Sequence, residues 1–374
     1  MKKMLLIQGS SMIIGTIIGA GILGLPFAFM KAGFLTGLTV LIIISLCIIV
    51  LALFLGEVAL RTKDNHQLSG YAGIYLGKTF RNIQAVLLLF GMYSALLAYT
   101  IGQGEILANL FGGSKVIWSI GAYIVLSWLV VKGLALIKRI EFIVGLLILG
   151  FIFILAVLAS PHININYWQG FSFAKFFIPY GAILFACSGL VAIPEAKEII
   201  SADKGEKLFR SVILIGNIIP VIIYISFAAI VIAVTGPKTT EIATIGLTSV
   251  IGPAALLIGS FFSIVAMSSS FMALGTAIKE IFQYDYKIKP VLAIFLTLIV
   301  PIIMFLLGFR DFFGVVSLAG ALSVGLTGLI TIIVFWRARK KGQRKPEYTI
   351  PAWLAAPASV IIAAMLILGL IYTL

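Results

Sequence analysis

The chain has 374 residues, of which 61% are hydrophobic and 11% charged, with a formal net charge of +14. Soluble domains carry roughly 45–50% apolar and about 25% charged residues, so this composition excludes a soluble enzyme, a disordered chain and a secreted disulfide scaffold. It is the composition of an integral membrane protein. Cys47 and Cys187 both lie inside apolar runs, which suggests neither a disulfide nor a metal site.

A membrane helix needs about 20 mostly apolar residues. With charged breaks taken as ends, the chain reads as eleven spans near 10–30, 35–56, 83–109, 116–131, 141–159, 176–194, 211–234, 250–278, 290–308, 312–336 and 352–373. Met1-Lys2-Lys3 resembles the basic start of a signal peptide, but further spans follow directly, so cleavage is not expected. The polar stretch Arg61–Gln67 reads as a short interfacial helix, and no loop is long enough for a soluble domain.

Placing the N-terminus inside puts 22 of the 27 Lys and Arg residues in inner loops and 5 in outer ones. The positive-inside rule then predicts a multi-pass protein of the cytoplasmic membrane, with its N-terminus cytoplasmic and its C-terminus outside. The excess positive charge therefore faces anionic lipid rather than nucleic acid.

Gly19-Ala-Gly-Ile-Leu-Gly-Leu-Pro26 in the first span and Cys187-Ser-Gly-Leu-Val-Ala-Ile-Pro194 in the sixth share one pattern. Both read small, small, Gly, aliphatic, aliphatic, small, aliphatic, Pro. The spans run in opposite directions, so the halves form an inverted repeat. Repeat one covers about 8–160 and repeat two about 174–337. An extra helix covers about 350–374, and the whole chain 1–374 is one membrane domain. Glycine- or proline-interrupted spans at matching places in two halves point to a transporter site. A broken helix frees backbone N–H and C=O groups in mid-membrane, which are tolerated only around a cavity in the protein. The N–H end suits a carboxylate and the C=O end an ammonium group or a cation. An α-amino acid carries both charges.

Gly15-Thr-Ile-Ile-Gly-Ala-Gly-Ile-Leu-Gly-Leu-Pro26, Phe185-Ala-Cys-Ser-Gly189 and Ile193-Pro-Glu-Ala-Lys197 resemble the amino acid/auxin permease family, and the chain is also similar to prokaryotic aromatic amino-acid permeases. Both belong to the amino acid–polyamine–organocation superfamily. The resemblance implies a LeuT-type 5+5 inverted repeat with discontinuous helices 1 and 6, and secondary transport of amino acids. It places the substrate carboxylate on the N–H groups of Gly19, Ala20 and Gly21. It places the amine on carbonyls near Phe185, Ala186 and Ser188, with Phe185 as an aromatic gate. Tyr99 and Gln103, four apart on the third span, share a face that lines the cavity in that family.

In the eighth span, Ala266, Ser269 and Ser270 share a face by their i, i+3, i+4 spacing, and one carbonyl with two hydroxyls suits a hard cation. In sodium-coupled superfamily members this span acts against carbonyls of the first, which here are those of Ile14 and Ile17. Coupling to a proton is the alternative. Glu105 is an acidic residue placed inside a span, near its outer end, where Lys115 is close enough in sequence to match its charge. Glu57, and Glu195 with Lys197, read as cytoplasmic gate or structural ion pairs.

The sequence therefore predicts a secondary transporter for neutral L-amino acids, working by alternating access and coupled to Na+ or H+. No cofactor is expected, its partners are a small amino acid and membrane lipid, and a monomer suffices. A non-transporting sensor or channel on the same fold, or a carrier of another small solute, is the competing reading. An intramembrane enzyme lacks its motifs: there is no Gly-x-Ser-x-Gly, His-Glu-x-x-His or aspartate pair in the spans.

Overall fold

The computed structural model describes residues 2–132, 150–201 and 205–374. Among them all regular structure is helical. In lipid each backbone polar group must be satisfied within its own segment, which a helix achieves.

Among the described residues, seven helical stretches are long and apolar enough to cross a membrane. They are α3 (Phe34–Arg61), α5 (Lys78–Phe111), α6 (Lys115–Lys132), α10 (Phe209–Thr235), α12 (Pro253–Glu280), α14 (Phe312–Ala319) continued by α15 (Gly325–Lys341), and α16 (Ala352–Thr373). An eighth follows if α1 (Lys2–Ile17) and α2 (Leu25–Ala32) count as one span bent by 49°. Three of the eleven expected spans fall outside this set. The sixth is split into α8 (Tyr180–Ala186) and α9 (Ala192–Ser201), and the ninth, α13 (Pro290–Leu306), has only 17 residues. For the fifth, α7 (Gly150–His162) is seen, while 141–149 lie outside the described residues, as does most of the basic loop 132–139.

The expected interfacial helix is displaced. Thr62 adopts an extended conformation and ends α3, and the short helix α4 runs over Leu68–Leu76 instead. Asp64 and Asn65, in between, are residues that favour turns. A second short helix, α11 (Ala243–Ile251), joins α10 to α12.

Between the spans there is little hydrophobic drive in lipid, so close approach of small residues has to hold the helices together. Gly181 of α8 faces Ser317 of α14, and Gly320 in the π-helical turn Gly320–Val324 faces the Gly181 carbonyl. Neither site has room for a side chain, so α8 seats backbone to backbone on α14 and the π-helical turn that follows it. α1 packs on α9 and α10, α3 on α10 and α15, and α5 on α6, α12 and α14. These contacts bring both helix interruptions into one interior region.

Candidate functional site

The first interruption lies at Ile18 and Gly19, with Gly19 extended at φ −117° and ψ −158°, before a 3-10 turn over Ala20–Gly24. Ala20 and Gly21 open that turn, so it offers their N–H groups no acceptor of its own. The second interruption covers 187–191, between α8 and α9.

The two breaks touch. A methyl group built on Gly21 would lie 3.0 Å from Cα and 3.2 Å from Cβ of Ala186, and 3.5 Å from Cδ1 of Phe185. Glycine here lets the backbone of the first break approach Ala186 closely, where a side chain would press on it. Just below, Gly189 faces the side chain of Ile17.

The carbonyl ends of the two half-helices share one donor. Tyr224 of α10, fully buried, directs its hydroxyl at the Ile17 carbonyl at 2.6 Å and the Ala186 carbonyl at 3.0 Å. Ile17 is the last residue of α1, and Ala186 the last of α8. A hydroxyl has one proton, so the two acceptors divide a single donor. The Ile17 carbonyl also accepts the Gly19 N–H at 2.9 Å, and the Phe185 carbonyl accepts the Ser188 N–H at 3.1 Å. A small cavity behind the breaks is lined by Ile17, Ser45, Cys187, Asn217 and Tyr224, with Ser45 Oγ 3.6 Å from Cys187 Sγ.

The third and eighth spans close the other side. Ser270 Oγ lies 3.3 Å from a methyl built on Gly19, and the Tyr99 hydroxyl 3.8 Å from it. The Tyr99 and Ser270 hydroxyls thus converge on Gly19. One turn along α5, Gln103 donates to Ser268 Oγ at 3.2 Å. The structure thus brings Gly19, Gly21, Tyr99, Phe185, Ala186 and Ser270 together, while Gln103 pairs with Ser268 rather than reaching the break. Ala266 and Ser269 are buried on α12. The Ile14 carbonyl accepts the Ile18 N–H at 2.8 Å, so both carbonyls expected to face a cation already carry hydrogen bonds.

Glu105 is away from this region. It forms an ion pair with Lys115 at 2.6 Å, and both side chains are partly exposed. Two features at that same end were not found from sequence. Phe312 packs between the 3-10 turn and α5, its ring 3.3 Å from a methyl built on Gly24 and 3.5 Å from one on Gly102. Beside it, Glu241 accepts the Phe313 N–H at 3.3 Å and lies next to Asp311, which itself accepts the Gly314 N–H at 3.0 Å. Burial, and then the charge of Asp311, hold the Glu241 carboxyl above the usual carboxylate range.

At the opposite, basic end, Glu57 is fully buried and binds Arg61 at 2.8 Å, Arg339 at 3.3 Å and the Ile350 N–H at 2.8 Å. This is the structural ion pairing expected of it. Lys197 directs its ammonium to the carbonyls of Thr62 and Asp64.

Comparison with known proteins points to a carrier. The profile of the tryptophan/tyrosine permease family matches residues 2–373. The chain belongs to this family. It is 22% identical to glutamine transporter 2 of Aliivibrio fischeri over 97% of both chains. It is 24% identical to the tyrosine-specific transport system 1 of Haemophilus influenzae over 90% of both. Membership makes this permease-family chain a multi-pass membrane protein and a transporter rather than an enzyme, related to amino-acid carriers. The narrower amino acid/auxin permease label does not follow from these likenesses.

Proposed function

We propose that the protein is a secondary permease for neutral L-amino acids, with its binding site at the facing interruptions of the first and sixth spans. The observation that carries this is the backbone contact of Gly21 with Ala186, which sets free N–H groups of one break beside carbonyl ends of the other. The substrate carboxylate takes the N–H groups of Ala20 and Gly21, adjoining Gly19. Its ammonium takes the Ala186 carbonyl, leaving Tyr224 to the Ile17 carbonyl alone. Phe185 and Tyr99 flank the bound molecule. Among the described residues no charged side chain stands at the breaks, which favours a substrate with an uncharged side chain. The names of the family and of both relatives refer to such substrates: tryptophan, tyrosine and glutamine.

In this reading the chain has eleven spans in two inverted halves of the LeuT type, and lies in the cytoplasmic membrane with its basic end inside. Rocking of the halves around the breaks gives alternating access. The coupling ion is Na+, held by the Ile14, Ile17 and Ala266 carbonyls with Ser269 and Ser270, or H+. Uptake of labelled tyrosine, tryptophan and glutamine into proteoliposomes, in sodium against choline and at two external pH values, tests it. Saturable uptake of at least one, competed by other neutral amino acids, is the expected result. Absence of uptake for all twenty amino acids would reject it.

A further inference from the structure

α9 is the inner half of the interrupted sixth span, and if the protein alternates access this half must separate from its neighbours. Its hold on α1 is apolar: a methyl built on Gly9 would lie 3.2 Å from the Ile200 side chain. Lys197 gives it a polar hold as well. The ammonium lies 3.4 Å from both the Thr62 and Asp64 carbonyls, and the residue is only 2% exposed. Thr62 is the C-cap of α3. The last carbonyls of a helix lack partners within it and carry the negative end of its dipole, so they attract a cation.

The seat that receives Lys197 is itself fixed. The Arg61 carbonyl accepts the N–H groups of Gln343 and Arg344 at 2.8 and 3.1 Å. The Thr62 hydroxyl bonds the Val58 carbonyl and the Tyr75 hydroxyl, each at 2.9 Å. Glu57 ties α3 to Arg339 and Ile350. A rigid seat and one buried ammonium on a short half-helix make a fastening that releases as a unit when the ammonium returns to water.

We propose that Lys197 is the catch of the basic-end gate: while it sits on the Thr62 and Asp64 carbonyls, α9 closes the path from that end to the break at Cys187. Its purpose rests on the transporter reading, but its test does not, because the measurement needs no substrate. Cys187 is a built-in reporter, a buried free thiol at the start of the break, and Cys47 is the only other cysteine in the chain.

In the full chain carrying Cys47→Ala, the rate of Cys187 modification by a small, charged methanethiosulfonate is measured in vesicles, with reagent added to one face at a time. Lys197→Met fills the same space without leaving a buried charge, and is expected to speed modification at least tenfold from the basic face and not from the other. Lys197→Arg, which can donate to both carbonyls, is expected to stay within about twofold of the parent. Lys197→Gln, which keeps a neutral donor, is expected to fall between, and it replaces Lys197→Met if that variant does not melt cooperatively. An unchanged rate in a folded neutral variant, or equal acceleration from both faces, would overturn the proposal.

Discussion

Tyr224 donates to the carbonyl oxygen of Ile17 across 2.6 Å, joining residues 207 positions apart in the chain. The bond ties α10 to the last residue of the first half-helix. The same hydroxyl reaches the last carbonyl of α8 at 3.0 Å. One side chain therefore holds the carbonyl ends of both broken helices in register. Tyr224→Phe removes the donor and keeps the ring. A buried acceptor that loses its partner costs about 1–3 kcal/mol, and here the lower end applies because Ile17 retains the Gly19 N–H. The expected outcome is a lower melting temperature together with a several-fold higher KM for uptake. Unchanged values for both would mean that the hydroxyl does not align the breaks.

Two glycines of the first span make opposite predictions. A side chain at Gly21 meets Ala186 at 3.0–3.2 Å, whereas one at Gly15 meets nothing within 4 Å. Gly21→Val should abolish amino-acid binding while the protein still reaches the membrane. Gly15→Ala should bind normally and gain up to about 1 kcal/mol of helix stability. Binding isotherms and membrane expression of the two variants check this pair, and normal binding by Gly21→Val would move the site away from the first break.

Ser270 adjoins Gly19 and Tyr99, and Ser269 is buried on the same helix. If sodium is the coupling ion, Ser269→Ala with Ser270→Ala should reduce sodium stimulation of uptake by tenfold or more. The measurement is the sodium concentration for half-maximal uptake. An unchanged value would place the cation elsewhere.

Glu241 carries the pH prediction. Its carboxyl is held above the usual range by burial first and by Asp311 second. Glu105, itself paired with Lys115, adds a smaller effect in the same direction. A raised carboxyl pKa means that the packed arrangement binds the proton more tightly than an open one. Closure of the 240–242 link on Phe313 is therefore strongest at acid pH and weakens as pH rises through the raised pKa. Hydrogen-exchange protection of residues 309–316, corrected for intrinsic rates, should fall several-fold between pH 4.5 and 8. In Glu241→Gln it should not change with pH. A pH-independent wild-type protection would contradict this.

Both helix interruptions were legible in the sequence because glycine and proline act through the local backbone. Gly19–Gly21 and Cys187–Gly189 mark breaks without any knowledge of their neighbours, and the structure interrupts its helices at those places. Glu57 was legible for a similar reason, since a carboxylate in an apolar run needs cations nearby and Arg61 lies one turn on. Tyr224 was not. A single tyrosine in an apolar helix carries no local signal, and its role exists only through contacts with Ile17 and Ala186. Phe312 was hidden among 27 phenylalanines in the same way. Spacing on α5 correctly set Tyr99 and Gln103 one turn apart, but it could not show that one meets Ser270 and the other Ser268. The bonds of Lys197 to the carbonyls of Thr62 and Asp64 were not legible either, because they join positions more than 130 residues apart.

The most direct test of the central claim is the melting temperature of the purified protein with each of the twenty amino acids in turn. A ligand that binds only the native state at 100 times its Kd stabilises it by about 2.7 kcal/mol. A site at the two breaks predicts stabilisation by a few neutral amino acids and by no charged one, with the effect lost in Gly21→Val. Equal stabilisation of Gly21→Val, or none of the wild type by any amino acid at millimolar concentration, would contradict it.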